Sequence, residues 1–132
     1  MPDTDKITLL IVDEDVDLLK SLSLFFANNF NVIAVSDYEQ MTRHLGTARL
    51  ALFEAGIFEK TGFNAIKTIK NEYPRLTIII MCTAWTSHGI SDEFVQNHAD
   101  AIIYKPFDIN RVSRIITQLT KKGNISEIST QC

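Results

Sequence analysis

Five short apolar segments alternate with segments of helical periodicity along this chain of 132 residues. The first segment is almost continuously apolar, as is typical of a parallel strand buried on both faces. Parallel strands need crossover connections, and helices are the usual crossovers. The pattern therefore predicts an α/β protein with one parallel five-stranded sheet covered by helices on both faces. The predicted strands are residues 7–12, 31–35, 50–54, 77–82 and 101–104.

The helices between these strands are specified by caps and by apolar spacing. Asp15 is a candidate N-cap for the first helix, and Ser36 with Glu39 forms a candidate capping box for the second. The fourth helix, about 87–97, carries few apolar anchors, so we expect it to be the least firmly packed. The fifth helix begins after Asp108 and has the clearest amphipathic pattern in the chain.

Length and composition indicate one soluble domain. We expect a domain at residues 6–121 and a short polar tail at 122–132. The net charge of −3 and the lack of a basic block argue against a nucleic-acid partner. The first apolar run ends at Asp13, and no run approaches the length of a membrane span, so we predict a cytoplasmic protein with no membrane partner. Cys82 and Cys132 suggest neither a disulfide framework nor a metal site.

Polar or charged side chains follow four of the predicted strands. Asp13 and Glu14 follow the first strand, Glu54 ends the third, Thr83 follows the fourth, and Lys105 follows the fifth. Because the carboxyl ends of parallel strands meet at one edge of a sheet, we expect these side chains to converge in a cleft. Two carboxylates about 5 Å apart repel by roughly 3 kcal/mol at an effective dielectric constant of 20. Lys105 offsets part of this repulsion, and either Mg²⁺ or a bound proton is expected to offset the rest.

Over residues 6–121 the chain resembles the receiver domain of two-component response regulators. This family has a flavodoxin-like fold of five βα units, with strand order 2-1-3-4-5, and a cis peptide bond before the residue equivalent to Pro106. Each motif alone is weak, but together, in order and at family-like spacing, they are specific. The motifs are the acidic pair Asp13 and Glu14, the strand-ending Glu54, Gly62, Thr83 with Ala84, and Lys105, Pro106 and Phe107.

The resemblance implies a role for each cleft residue. In such domains the acidic pair and the carboxylate ending the third strand hold Mg²⁺, here Asp13, Glu14 and Glu54, together with the backbone carbonyl of the residue at position 56, here Gly56. An aspartate at the position of Glu54 accepts a phosphoryl group from a phosphohistidine or a small phosphodonor. The residues at Thr83 and Lys105 bind the phosphoryl oxygens. Hard oxygen ligands for Mg²⁺ and cations placed in advance suit this chemistry.

The chain departs from the family pattern at the acceptor, because Glu54 is longer than aspartate by one C–C bond, about 1.5 Å. A misplacement of about 1 Å can cost on the order of 100-fold in rate. We therefore expect an atypical receiver, either biased toward one signalling conformation or locked by a pair between Glu54 and Lys105. The alternative is a working Mg²⁺-dependent phosphoacceptor that is phosphorylated by a histidine kinase.

Two further departures concern residues near the cleft. Receivers commonly carry an aromatic switch residue at the position of Ile102, and Tyr104, on the same strand face, is a candidate substitute. Phe58 stands near the position of a proline that is usual in the loop after the third strand. Both departures affect residues that take part in phosphorylation-driven switching in this family.

The predicted function is that of a protein-interaction module rather than an enzyme. By resemblance, the partner is a histidine kinase or an output protein, bound through the fourth helix, the fifth strand and the fifth helix, with a homodimer as another use of that face. A nucleotide-binding enzyme is disfavoured because the loop after the first strand, residues 13–17, reads Asp-Glu-Asp-Val-Asp rather than a glycine-rich phosphate cradle.

Overall fold

The structure is a computed structural model and describes residues 6–82 and 98–121. The predicted fourth helix, Thr83, and the tail at 122–132 lie outside these residues. The elements, in chain order, are β1 (Thr8–Val12), α1 (Val16–Phe26), β2 (Asn31–Val35), α2 (Tyr38–Thr42), β3 (Leu50–Glu54), a short 3-10 helix (Ala55–Phe58), α3 (Asn64–Glu72), β4 (Thr77–Cys82), β5 (Ala101–Tyr104) and the C-terminal helix (Ile109–Lys121).

The five strands form one parallel sheet in the order β2-β1-β3-β4-β5. This order and the α/β architecture confirm the predicted fold. The register pairs Val12 with Phe53, and Glu54 with Met81. As a result, the residues that follow β1 and β3 lie side by side at the edge where the strands end, which we call the carboxyl edge of the sheet.

The core consists of two apolar clusters, one on each face of the sheet. On β1, Leu10 and Val12 belong to one cluster, whereas Leu9 and Ile11 belong to the other. All of these side chains are buried because each strand residue alternates between the two faces and both faces are covered by helices. The continuous apolar run of β1 therefore has a direct structural explanation.

Local caps define where the helices begin. Asp15 accepts a hydrogen bond from the backbone N–H of Leu18 at 3.2 Å, which confirms the predicted N-cap of α1. The predicted capping box of α2 is wrong by one residue. Asp37 caps this helix instead, accepting from the N–H of Gln40 at 2.8 Å. The side chain of Asp37 fits because its backbone is extended, with a φ of −145°, immediately before the helix.

Within residues 6–82 and 98–121, no helix is long and apolar enough to cross a membrane.

Candidate functional site

The backbone brings three of the predicted charged residues to the carboxyl edge. Asp13 directly follows β1, and its N–H donates to the carbonyl of Val35 at 3.2 Å. Glu54 is the last residue of β3. Lys105 follows β5, and its N–H donates to the carbonyl of Cys82 at 2.6 Å. Thr83, which comes next after Cys82, lies outside the described residues. The cleft is therefore built on the ends of strands rather than on long loops.

Lys105 and Asp13 form a buried ion pair at the centre of the cleft. The Nζ of Lys105 lies 2.6 Å from Oδ2 of Asp13, and the two side chains are only 18% and 3% exposed. The other oxygen of Asp13, Oδ1, accepts a hydrogen bond from the N–H of Asp15 at 2.9 Å. Both carboxylate oxygens of Asp13 therefore already have partners from the protein.

The expected pair between Glu54 and Lys105 is wrong. Oε1 of Glu54 accepts a hydrogen bond from the N–H of Gly56 at 2.7 Å, so its side chain caps the 3-10 helix that follows β3. Lys105 binds Asp13 and acts on Glu54 only through its charge.

Gly56 leaves the room that this conformation of Glu54 needs. A Cβ atom at position 56 would lie 2.6 Å from Oε1 of Glu54, closer than non-bonded atoms approach. The backbone itself does not require glycine here, because the positive φ among the described glycines belongs to Gly62. The conformation of Glu54 therefore depends on the absence of a side chain at position 56.

The pKa of Glu54 is raised above its ordinary value of 4.5. Burial is the largest cause, since only 7% of the residue is exposed. The hydrogen bond from Gly56 and the charge of Lys105 lower the pKa, while the charges of Asp13 and Glu14 raise it. Burial outweighs the two favourable interactions, so the ionised form of Glu54 is disfavoured relative to an exposed glutamate.

An acidic groove of about 530 Å³ opens beside the cleft. Glu14 is exposed and Glu54 lies at the base of this groove. Asp37, Glu39 and Glu59 also line it, and none of the three was predicted from the sequence as a site residue. The lining is Glu14, Asp37, Tyr38, Glu39, Glu54, Gly56, Ile57, Glu59, Lys60 and Thr61.

The arrangement of the predicted magnesium ligands does not fit a divalent cation. In the parts of the chain that the structure describes, no three Asp, Glu, His or Cys side chains are grouped to hold a metal ion. Asp13 is engaged by Lys105 and Asp15, and Glu54 by Gly56. The carbonyl of Gly56, the fourth predicted ligand, accepts from the N–H of Glu59 at 3.2 Å. Of the predicted set, Glu14 alone has no hydrogen bond or ion pair to another described residue.

The remaining predicted residues lie on β5, directly after it, and in the 3-10 helix. The Lys105–Pro106 peptide bond is cis. Ile102 is half-buried, whereas Tyr104 is 44% exposed at the end of β5. Phe58 is fully buried and packs edge-to-face against Phe53, as a core residue does.

Comparisons with known proteins give one family. The family model of the response regulator receiver domain matches residues 9–117. No curated protein matches the chain. Among solved structures, a receiver domain protein from Clostridium thermocellum is 16% identical with a TM-score of 0.73, covering 91% of this chain and 98% of that one. A CheY-like receiver domain protein from Methanospirillum hungatei is 20% identical with a TM-score of 0.72, covering 92% and 96%.

A third similar structure is a response regulator receiver modulated diguanylate cyclase from Pelobacter carbinolicus. It is 19% identical with a TM-score of 0.68, and the match covers 92% of this chain and 98% of that one. At these levels of identity the structural likeness concerns the fold.

Proposed function

This chain belongs to the response regulator receiver domain family, and we propose that it is an atypical receiver that signals by binding a partner rather than by accepting a phosphoryl group. Receiver domains are generally non-enzymatic signalling modules that interact with kinases and output domains. They typically bind Mg²⁺ at their phosphorylation site. The proposed module comprises residues 6–121, with Glu54 at the acceptor position.

The observation that carries this proposal is the hydrogen bond between Glu54 and Gly56. Oε1 of Glu54 lies 2.7 Å from the N–H of Gly56, so the carboxylate is directed toward the backbone of the 3-10 helix. The side chain is also longer than aspartate by about 1.5 Å. Since a misplacement of about 1 Å can cost on the order of 100-fold in rate, transfer of a phosphoryl group to Glu54 is strongly disfavoured.

Burial of Glu54 acts in the same direction. Its pKa is raised, mainly because the carboxyl group is buried, so the ionised form that could attack a phosphoryl group is disfavoured relative to an exposed glutamate. Lys105, the cation expected to neutralise an incoming phosphoryl group, is engaged by Asp13 at 2.6 Å. Glu54, at the acceptor position, and Lys105, the cation expected beside it, are therefore both engaged in contacts within the protein.

We assign partner binding to the face that includes β5, the C-terminal helix and the predicted fourth helix at 87–97. In the described part of this face, Tyr104 is an exposed aromatic side chain, and Arg111 and Arg114 are exposed on the C-terminal helix. Exposed aromatic and arginine side chains are the types that contribute most to protein interfaces.

Replacement of Tyr104 tests this face. Tyr104→Ala is expected to reduce site-specific cross-linking to the partner. Leu24→Ala is the matched control, since Leu24 is an exposed apolar side chain on α1. Equal loss of cross-linking in the two variants would contradict the assignment.

The non-acceptor role is tested by incubation with acetyl phosphate and Mg²⁺, followed by intact-mass spectrometry. The wild type is expected to gain no phosphoryl group. Glu54→Asp is the matched variant. If this variant alone gains a phosphoryl group, the longer side chain of Glu54 is what prevents phosphorylation of the wild type. Glu54→Gln, which lacks a carboxylate, reports modification elsewhere. A phosphoryl group mapped to Glu54 of the wild type would overturn the proposal.

A further inference from the structure

We infer that the ammonium of Lys105 is the resident cation of the cleft, and that it keeps divalent metal ions out of the folded protein. This inference rests on the proposed function, because it concerns how the same cleft is held in one state. It assigns to Lys105 a role that the family pattern gives to a metal ion, namely neutralising the carboxylate that follows β1.

The first argument is that both oxygen atoms of Asp13 and one oxygen of Glu54 already accept hydrogen bonds within the protein. Oδ2 of Asp13 is 2.6 Å from Nζ of Lys105, and Oδ1 accepts from Asp15. Oε1 of Glu54 accepts from Gly56, whose own carbonyl accepts from Glu59. A metal ion entering here must break several of these contacts, all of which lie within or beside the cleft.

The second argument is the strict geometry of Mg²⁺. This ion requires near-octahedral coordination at about 2.0–2.1 Å and gives up its water ligands reluctantly. Oxygen atoms held at fixed positions by other donors cannot move to satisfy that geometry without cost. The exposed carboxylate of Glu14 can approach a cation, but one carboxylate on the surface does not make a selective site.

The third argument is electrostatic. Lys105 is 18% exposed and Asp13 only 3% exposed, so the ammonium charge is weakly screened by water. A divalent cation beside Asp13 would lie within a few Å of this like charge. Repulsion at that distance is large at the effective dielectric constant of a protein interior. Removing the ammonium should therefore leave an uncompensated buried carboxylate that attracts a cation.

The test measures Mg²⁺ binding without any phosphodonor, by isothermal titration calorimetry and by urea unfolding with and without millimolar MgCl₂. The wild type is expected to show no saturable Mg²⁺ binding. Lys105→Met is expected to bind Mg²⁺ at least about 10-fold more tightly than the wild type, and to be stabilised by it. Lys67→Met is the matched control, since Lys67 is exposed on α3, and should behave as the wild type.

A double variant, Asp13→Asn with Lys105→Met, separates the charge from the loss of packing. It lacks both partners of the pair and should not gain Mg²⁺ binding. If Lys105→Met does not fold, Lys105→Gln takes its place. Saturable binding of Mg²⁺ by the wild type, as tight as that of the Lys105 variant, would overturn the inference.

Failure to bind Mg²⁺ by both proteins would also overturn it, because Lys105 would then not be what excludes the metal. Neither result bears on phosphoryl transfer. A wild type that binds Mg²⁺ and yet gains no phosphoryl group would refute this inference alone, whereas phosphorylation of Glu54 would refute the proposed function.

Discussion

Two lysine–aspartate pairs, one largely buried and one half-buried, lie at opposite edges of the same sheet. At the carboxyl edge, Lys105 binds Asp13. At the other edge, where the strands begin, Lys70 binds Asp100 at 2.9 Å. The side chains of Lys70 and Asp100 are 30% and 23% exposed. Those of Lys105 and Asp13 are 18% and 3% exposed. The two pairs have the same chemistry but different surroundings.

The surroundings show what each pair does. Lys70 also donates to the carbonyl of Leu76, and Asp100 accepts from the N–H of Ile78, so this pair joins α3 to the starts of β4 and β5. Lys105 makes no comparable set of side-chain bonds to the backbone in the described residues; its ammonium faces the carboxylate of Asp13. The Lys70–Asp100 pair holds elements together, whereas the Lys105–Asp13 pair neutralises a buried charge.

The comparison predicts unequal losses of stability. Lys105→Met leaves a nearly inaccessible aspartate without a counter-charge, with only the N–H of Asp15 still donating to it, and is expected to lower the unfolding free energy by about 3–5 kcal/mol. Lys70→Met leaves Asp100 more hydrated and still bonded to Ile78, so a loss of about 1.5–3 kcal/mol is expected. Urea unfolding at neutral pH measures both. An equal or larger loss for Lys70→Met would break the distinction between the two edges.

A second prediction concerns the coupling of Gly56 to Glu54. Gly56→Ala is expected to destabilise the wild type by about 1–3 kcal/mol, because the new methyl group displaces Oε1 and breaks the hydrogen bond between the buried carboxyl group and the N–H of residue 56. In a Glu54→Ala background the same change should stabilise the protein by about 0.4–1 kcal/mol, since alanine restricts the unfolded chain. The double-mutant cycle measures the coupling, and an equal effect in both backgrounds would exclude it.

A third, smaller effect is the pH dependence that Glu54 contributes. Because its pKa is raised in the folded protein, the folded state binds a proton more tightly than the unfolded state does. This contribution is fully present below about pH 4.5 and is lost as the pH rises through the folded pKa. The charges facing the group are Lys105, Asp13 and Glu14.

Glu54→Gln removes this titration while keeping the size of the side chain. Urea unfolding of both proteins across a pH series should show that the wild type loses stability relative to the variant as the pH rises above 4.5. The two proteins should be similar in stability at lower pH. A relative gain by the wild type with rising pH would mean that the folded pKa is lowered instead.

The sequence predicted the fold and the strand ends well for physical reasons. Buried parallel strands must be apolar on both faces, so 7–12 and 77–82 are visible as continuous runs. Once the strands are parallel, the residues after them must meet at one edge. The sequence alone therefore predicts that Asp13, Glu54 and Lys105 lie at the same edge.

The contacts within the cleft were not predictable in the same way. Which carboxylate an ammonium selects depends on side-chain directions that periodicity does not encode, and Lys105 binds Asp13 rather than Glu54. The bend of Glu54 depends on a glycine two residues later, whose effect is steric. The cap of α2 was misplaced by one residue because Ser36 and Asp37 are adjacent residues that both suit an N-cap.

The most direct test of the central claim is the intact mass of the wild type after exposure to acetyl phosphate and Mg²⁺. A mass equal to that of the untreated protein is predicted, since Glu54 is bonded to Gly56 and Lys105 is bonded to Asp13. The addition of one phosphoryl group, mapped by peptide fragmentation to Glu54, would contradict the account.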